Sequence, residues 1–299
     1  MRTTAQRAPE AAPATVISSP SNPRIKAVLR LRDPRGRQAA GLTLVDGLRE
    51  IQRALDAGAT IAEAFVGPAA ARGDGPAVRA RLLEAGVPIV DVTAPVEARL
   101  AFGDRVEGIV AIVRPPSLDL SALRVPGAPL LVVLEKVEKP GNLGAVLRSV
   151  DGAGGDGLIA ADPLADPWSP NAIRASLGTV FSVPTAAASS EAVIGWCRER
   201  SIRLVTARVD AARLYTDADL TGAIALVLGS EAAGLTHAWQ GPAIESIRLP
   251  MLGVADSLNV SVTAAVLLYE ARRQRDVAAR GDQAASSDLR RRPGHGDGG

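Results

Sequence analysis

The sequence has few of the side chains that build metal and redox sites. Among its 299 residues cysteine occurs once, at Cys197, and histidine twice, at His237 and His295. A single cysteine excludes an internal disulfide and a cysteine-based metal cluster, and two histidines argue against a histidine-rich metal site. We therefore expect no metal cofactor. The single thiol also fits a reducing, cytoplasmic environment.

Long apolar runs are missing as well. No run approaches the roughly 18 residues that a membrane-spanning helix needs, and residues 1–15 lack the apolar centre of a secretory signal. Residues 1–15 and 276–299 show no hydrophobic periodicity, and the second stretch is rich in glycine, serine and charge. Both are expected to be disordered tails.

Lysine is scarce, whereas arginine is abundant. Only Lys26, Lys136 and Lys139 are lysines among the 34 basic residues, and the formal net charge is +2. Arginine engages phosphates through a planar fork, but an arginine-rich codon bias would give the same composition. Composition alone therefore leaves nucleic-acid binding open.

Six basic residues are concentrated near the start of the chain, with Asp33 as the one acid among them: Arg24, Lys26, Arg30, Arg32, Arg35 and Arg37. Such a run indicates either a solvated face or a nucleic-acid surface. Strands and helices then alternate over residues 42–113. We predict a small α/β domain over residues 16–115, and a linker over residues 116–129 because residues 114–129 contain four prolines.

Residues 130–275 alternate apolar strands with helices more regularly, which predicts a parallel sheet covered on both faces. Ligands of such sheets bind at the carboxyl ends of the strands. The stretch GAGGDG, residues 152–157, matches the dinucleotide pattern G-x-G-x-x-G. It follows a helix and precedes a strand, so it indicates a helix end and a turn.

Three apolar strands are followed by segments that combine glycines with polar side chains. The first segment contains Asn142 and Arg148, the second contains Glu231, and the third crowds Ser257 and Asn259 before the last helix. Taken singly, these residues could be helix caps or first-turn acids. Three such loops in order, each after a strand, point instead to one shared site.

The three segments resemble motifs 1, 2 and 3 of the SpoU (TrmH-like) branch of the SPOUT RNA methyltransferases. The matching residues are Asn142, Gly144 and Arg148; Gly229, Glu231, Gly234 and Leu235; and Pro250, Met251, Gly253, Ser257, Leu258, Asn259, Val260 and Ser261. Thr263 stands where alanine is frequent in the family. The resemblance covers the second domain, and the first domain resembles more weakly the RNA-binding α/β domain that often precedes it.

This resemblance implies a C-terminal domain with a deep trefoil knot, in which S-adenosylmethionine is held mainly by the backbone of three loops. The implied cofactor-binding residues are Thr206, Ala207, Gly229, Ser230, Leu249, Met251, Ser257 and Leu258. Gly229 and Gly253 would let the backbone approach the cofactor closely. Ser257 would cap the last helix.

The implied reaction is methyl transfer to a ribose 2′-hydroxyl of RNA. The implied catalytic residues are Arg148, Glu231, Asn259, Asn142 and Ser261. With a pKa above about 12, arginine is a poor base, so Arg148 is expected to clamp a phosphate and stabilise oxyanion charge. Glu231 would orient Arg148 or Asn142, while Asn259 and Ser261 would face the pocket.

Ribosomal RNA is the expected substrate because of the additional N-terminal domain. A tRNA methyltransferase and a non-catalytic, ribosome-associated RNA-binding factor are the alternatives; the second would be signalled by loss of motif residues, all of which are present. A nucleotide-dependent oxidoreductase is opposed by the misplaced glycine cluster. The resemblance also implies a homodimer, for which Val262, Val266 and Tyr269 on the last helix offer an apolar stripe.

Overall fold

A computed structural model describes residues 16–102, 106–231 and 233–291, the last ten of these by their backbone alone. The predicted N-terminal tail, residues 1–15, lies outside the described residues. The chain divides into two compact units between Arg114 and Pro115. Each unit has its own sheet.

The first unit packs helices on a mixed sheet whose strand order is β1-β4-β2-β3. β4 pairs antiparallel with β1 and β2, and β3 pairs parallel with β2. The elements are α1 (Pro23–Arg30), α2 (Pro34–Ala40), β1 (Thr43–Asp46), α3 (Leu48–Asp56), β2 (Thr60–Val66), α4 (Gly75–Glu84), β3 (Ile89–Asp91), α5 (Ala94–Leu100) and β4 (Ile109–Arg114). Asn22 caps α1 by accepting a 2.8 Å hydrogen bond from the Arg24 N–H, and Pro23 fits the first helical position.

The basic run of residues 24–37 divides into two groups. Arg24 pairs with Glu63, Arg32 donates to the carbonyl oxygens of residues 99–101 at 2.8–3.1 Å, and the buried Arg37 donates to two carbonyl oxygens at 2.9 and 3.1 Å. These three arginines hold the unit together. The other three basic residues are exposed and have no hydrogen-bond or ion-pair partner among the described residues. We call them the free basic face: Lys26, Arg30 and Arg35.

The second unit contains a seven-stranded sheet in the order β7-β6-β5-β10-β8-β11-β9, and every recorded pairing in it is parallel. Its strands are β5 (Leu130–Glu135), β6 (Gly157–Ala161), β7 (Thr185–Ala188), β8 (Arg203–Ala207), β9 (Arg213–Leu214), β10 (Ile224–Leu228) and β11 (Ile244–Arg248). β5 and β10 are buried along their whole length, as the continuous apolar runs predict. The predicted parallel α/β fold is confirmed.

The helices of this unit are α6 (Pro140–Gly152), α7 (Pro170–Ala175), α8 (Ser190–Glu199) and α9 (Val260–Arg291). The glycine stretch of residues 152–157 is the end of α6 and a turn into β6, with Gly154 at φ +63°, as predicted. No helix in the described part of the chain is long and apolar enough to cross a membrane.

α9 extends into the predicted C-terminal tail. It begins at Val260 and runs to Arg291, although residues 276–299 are expected to be disordered. The extension is rich in alanine and arginine, which favour helix, and the first proline after it is Pro293. Apolar periodicity ends near Arg275 because the helix loses its packing partner there, and helix propensity carries the backbone further.

Residues 116–129 are part of the second unit, which corrects their assignment as a linker. Leu120 and Leu123 are buried in the hydrophobic core of that unit, and the Leu118 carbonyl accepts a 2.8 Å hydrogen bond from the Ala187 N–H in β7. The prolines of this stretch therefore mark an irregular but packed segment. Proline density indicated the absence of regular structure and gave no information on packing.

The middle of α9 is tied to the amino-terminal edge of the sheet by side-chain hydrogen bonds. Arg275 donates to the carbonyl oxygens of Ala128 and Pro129 at 2.9 and 3.1 Å, and also to that of Gly222. Arg272 donates to the carbonyl oxygens of residues 153 and 154 at 2.8 and 2.6 Å. These bonds fix the helix against the segments that lead into β5, β6 and β10.

Candidate active site

The three motif segments meet at the carboxyl edge of the large sheet, where their polar side chains form one hydrogen-bonded network. The Nδ2 amide of Asn142 donates to Glu231 Oε1 at 2.9 Å, and the Nδ2 amide of Asn259 donates to the same oxygen and, at 3.2 Å, to Asn142 Oδ1. Each motif thus contributes one residue. We call these three residues the motif network.

Lys139 joins the network and was not predicted. Its Nζ donates to Glu231 Oε2 at 2.5 Å, while the lysine side chain remains 70% exposed. The hydrogen bond from Lys139 lowers the pKa of Glu231, and the same bond raises the pKa of Lys139. Both groups are therefore charged at neutral pH. The sequence offered one signal for Lys139: lysine is rare in this chain, and this one lies three residues before Asn142.

Asn259 connects the network to the last helix. Its Oδ1 accepts the Ser261 N–H at 2.9 Å and the Ser261 hydroxyl at 2.6 Å, which is how an N-cap side chain satisfies a helix start. The predicted cap, Ser257, lies in the loop before the helix and lines a cavity instead. Asn259 therefore caps α9 and binds Glu231 at the same time. Ser261 serves the cap and does not line the cavity.

Arg148 is exposed in α6 and makes no hydrogen bond or ion pair with the described residues. Glu231 was expected to orient Arg148 or Asn142, and its two carboxylate oxygens are taken by Asn142, Asn259 and Lys139, so Arg148 is not its partner. Glu231 does hold Asn142. Arg148 lies two turns further along α6 than Asn142 and keeps its guanidinium free for a ligand.

A cavity of about 450 Å³ adjoins the motif network, and Glu231 belongs to both. This volume falls in the range typical of small-molecule sites, about 300–1,000 Å³. Seven of the eight predicted cofactor-binding residues line it: Ala207, Gly229, Ser230, Leu249, Met251, Ser257 and Leu258. Three acidic residues, Asp210, Glu231 and Asp256, are also among the lining residues.

Thr206 is the predicted cofactor residue that does not line the cavity. Its side chain is fully buried, with its hydroxyl 2.8 Å from Ser246 Oγ and donating to the Glu245 carbonyl oxygen at 3.1 Å. Thr206 is the register partner of Ser246 in β11, so the two side chains lie next to each other on the same face of the sheet. Its neighbours Ala207 and Arg208 reach the cavity instead.

The two glycines that were expected to admit the cofactor differ. A Cβ at Gly229 would lie 2.2–2.4 Å from backbone atoms of Gly234 and Leu235, so Gly229 is required for the loop to close on itself. This loop, residues 229–235, is the motif 2 loop, and it is pinned by a 3.0 Å hydrogen bond from the Gly234 N–H to the Ser230 carbonyl. A Cβ at Gly253 would meet nothing within 4 Å.

No group of three or more histidine, cysteine or carboxylate side chains is arranged to hold a metal ion in the described part of the chain. Cys197 is buried, and burial raises the pKa of its thiol to about 12. It is therefore protonated and unreactive at neutral pH.

The chain is similar in fold to solved structures of RNA methyltransferases. The chain aligns with the crystal structure of an RNA 2′-O ribose methyltransferase at a TM-score of 0.76 and 40% identity, covering 87% of this chain and 99% of that chain. An S-adenosylmethionine-bound rRNA methyltransferase from Sinorhizobium meliloti aligns at a TM-score of 0.78 and 29% identity, covering 87% and 97%. The fold of this chain is thus that of RNA methyltransferase structures.

Family models divide the chain in the same way. The model of the SpoU rRNA Methylase family matches residues 129–269, and that of the MRM3-like substrate binding domain matches residues 22–111. The 23S rRNA (uridine(2479)-2′-O)-methyltransferase of Streptomyces viridochromogenes is 36% identical over 173 residues, which are 56% of this chain and 60% of that enzyme. The chain belongs to the SpoU rRNA methylase family.

Proposed function

We propose that this protein transfers a methyl group from S-adenosylmethionine to a ribose 2′-hydroxyl of ribosomal RNA. The observation that carries the proposal is the motif network, in which Asn142, Glu231 and Asn259 converge beside a cavity of about 450 Å³. Residues 117 positions apart in the chain contact each other there.

The cavity fits S-adenosylmethionine in its chemistry. Apolar side chains such as Leu249 and Met251 suit an adenine ring, and Asp256 suits a cationic sulfonium or ammonium group. Most of the lining residues lie in loops, where main-chain groups are available for recognition. When bound, the cofactor supplies an electrophilic methyl group.

The protein's own residues then have separate tasks. Arg148, free and exposed, would hold a phosphate next to the reacting ribose and stabilise negative charge that develops on the 2′-oxygen. Glu231 would keep Asn142 and Asn259 in place as an ionised carboxylate. Fixing both substrates in line can contribute roughly 7–11 kcal/mol to lowering the barrier.

Ribosomal RNA is the proposed substrate because two of the similar proteins are named as rRNA methyltransferases and the first unit matches a substrate-binding domain. The free basic face of that unit presents three cations with no partner among the described residues, a composition suited to RNA phosphates. We propose further that the protein acts in the cytoplasm. We also propose that the second unit contains the trefoil knot that the motifs imply.

Mapping of 2′-O-methylation tests the proposal directly. Total RNA from cells with and without the gene should differ at one or a few ribosomal ribose positions, and an Arg148→Ala copy should fail to restore them. Loss of methylation confined to tRNA would contradict the substrate. An unchanged map, together with no binding of labelled S-adenosylmethionine, would contradict the activity.

We also propose that the protein is a homodimer paired through α9. The helix buries Ala264, Leu267, Leu268 and Ala271 against its own unit, while Val262 and Tyr269 are 46% and 55% exposed on another face. A second copy would cover these side chains. Sedimentation should give a dimer at micromolar concentration and a monomer for Tyr269→Asp; a stable wild-type monomer would refute this.

A further inference from the structure

A carboxylate that takes no part in the mechanism above is buried at the end of the central strand. Glu135 is the last residue of β5 and is 0% exposed. No lysine, arginine or histidine among the described residues pairs with it. A buried charge without a cation is unfavourable unless hydrogen-bond donors surround it.

The donors come mainly from one residue. The Thr236 N–H donates to Glu135 Oε2 at 2.8 Å, and the Thr236 hydroxyl donates to Oε1 at 2.5 Å. Ser190, the first residue of α8, places its hydroxyl 2.7 Å from Asp162 Oδ2 and 3.4 Å from Glu135 Oε1. Because both oxygens of Glu135 bind the same threonine, the position and the orientation of Thr236 are fixed together.

Thr236 is the residue that follows the motif 2 loop. At its amino end the loop continues directly from β10, which pairs with β5. At its carboxyl end Thr236 is bound by Glu135, and three residues later Trp239 is fully buried in the core. Glu135 therefore holds the exit of a loop that lines the cavity and carries Glu231.

We propose that Glu135 is a positioning residue that sets the motif 2 loop in its cofactor-binding arrangement. Glu135 is fully buried and does not line the cavity, so it touches neither substrate and acts through Thr236. The inference rests on the proposed function, since it assigns the cavity to S-adenosylmethionine.

A residue that only filled space at this position would be apolar, because replacing a buried charge by a hydrophobic side chain is often neutral or stabilising. The two roles therefore predict different outcomes for Glu135→Met, which keeps the length and removes both acceptors. Glu135→Gln is the matched control. Its amide oxygen can accept the Thr236 N–H, and its amide nitrogen can donate to the Thr236 hydroxyl.

The experiment uses the full chain and makes two measurements: S-adenosylmethionine affinity by calorimetry, and protection of backbone amides by hydrogen exchange. Glu135→Met should weaken binding at least about tenfold, since it leaves the loop exit with an unsatisfied donor, and should lose protection of the Thr236 amide. Glu135→Gln should stay within about threefold of wild type. Wild-type affinity and protection in Glu135→Met would overturn the inference.

A second pair of variants covers the case in which Glu135→Met does not fold. Thr236→Val removes one of the two bonds at a half-buried position, whereas Thr236→Ser keeps the hydroxyl. Thr236→Val should weaken cofactor binding several-fold relative to Thr236→Ser, and equal affinities would overturn the inference. If wild-type protein binds no S-adenosylmethionine, the proposed function falls first; wild-type binding that none of these variants changes refutes only the role of Glu135.

Discussion

Gly229→Ala should weaken S-adenosylmethionine binding because the loop beside the cavity has no room for a methyl group. The added Cβ would lie 2.2 Å from the Gly234 carbonyl carbon and 2.4 Å from the Leu235 nitrogen, whereas ordinary contacts begin at 3.4 Å. The opposing atoms are backbone, so no flexible side chain can move aside. The motif 2 loop would have to shift by about 1 Å.

Overpacking of this kind costs about 1–3 kcal/mol. If the wild-type loop arrangement is the one that binds the cofactor, the same free energy appears as an affinity roughly 5- to 150-fold lower. Calorimetric titration of the purified variant measures the dissociation constant. A thermal melt alongside it separates a displaced loop from a protein that no longer folds.

Gly253→Ala is the matched control, because it makes the same chemical change in a loop of the same site. Its Cβ would meet nothing within 4 Å, and its φ lies outside the left-handed region. We expect affinity within about twofold of wild type. If Gly229→Ala bound normally, closure of the loop would not require glycine. If Gly253→Ala lost as much as Gly229→Ala, close approach of the cofactor would be the reason for both glycines.

Three further predictions concern chemistry, RNA and pH. Arg148→Ala should abolish single-turnover methyl transfer while changing cofactor affinity only a few-fold. Arg148→Lys should lose nearly as much of the methyl-transfer rate, because lysine lacks the planar fork. A near-normal rate in Arg148→Lys would leave Arg148 only a point-charge role. Replacing all three residues of the free basic face by alanine should reduce the slope of log RNA affinity against log salt by up to about three units. Arg32→Ala should lower the melting temperature instead, because Arg32 binds backbone carbonyl oxygens. Equal salt slopes for wild type and the triple alanine variant would contradict this prediction. Because Lys139 lowers the pKa of Glu231, the stabilising contribution of the carboxylate is present above the ordinary pKa of about 4.3 and is lost as pH falls through the lower folded value. Cofactor affinity should therefore show no inflection from Glu231 between about pH 5.5 and 8. An inflection in this range that disappears in Glu231→Gln would refute the assignment.

Most of the large sheet is predictable because its strands are continuous apolar runs. β5, β6, β8 and β10 are predictable in this way, and they bring the motif segments to one edge. β7 and β9 are not, since the sequence of β7, TAAA, has no aromatic residue and only one β-branched residue, and β9 has only two residues. Both lie at the outer ends of the sheet, where pairing with a neighbour decides the conformation more than local propensity does.

The sequence predicted which residues belong to the candidate site better than it predicted which of them contact each other. The motifs identified Asn142, Glu231 and Asn259, but the partner of each side chain depends on distances that no sequence pattern encodes. Ser257 and Asn259 are both good capping residues, and only the observed start of α9 at Val260 decides between them. Lys139 and Glu135 were missed because one is an isolated surface cation and the other ends an apolar strand, and neither position is distinctive until its partner is known.

The dual use of Asn259 has a consequence for when the protein becomes active during its synthesis. Asn259 completes the motif network and also caps the last helix. Arg272 and Arg275 bind that helix to the segments that precede three strands. A ribosome that has translated the chain as far as residue 250 has made every strand of the large sheet, yet the growing chain has no Asn259 and no closed network. Methylation competence should therefore arrive late and abruptly, with the release of the final helix from the exit tunnel, so that unfinished chains stay silent beside the ribosomal RNA that surrounds them.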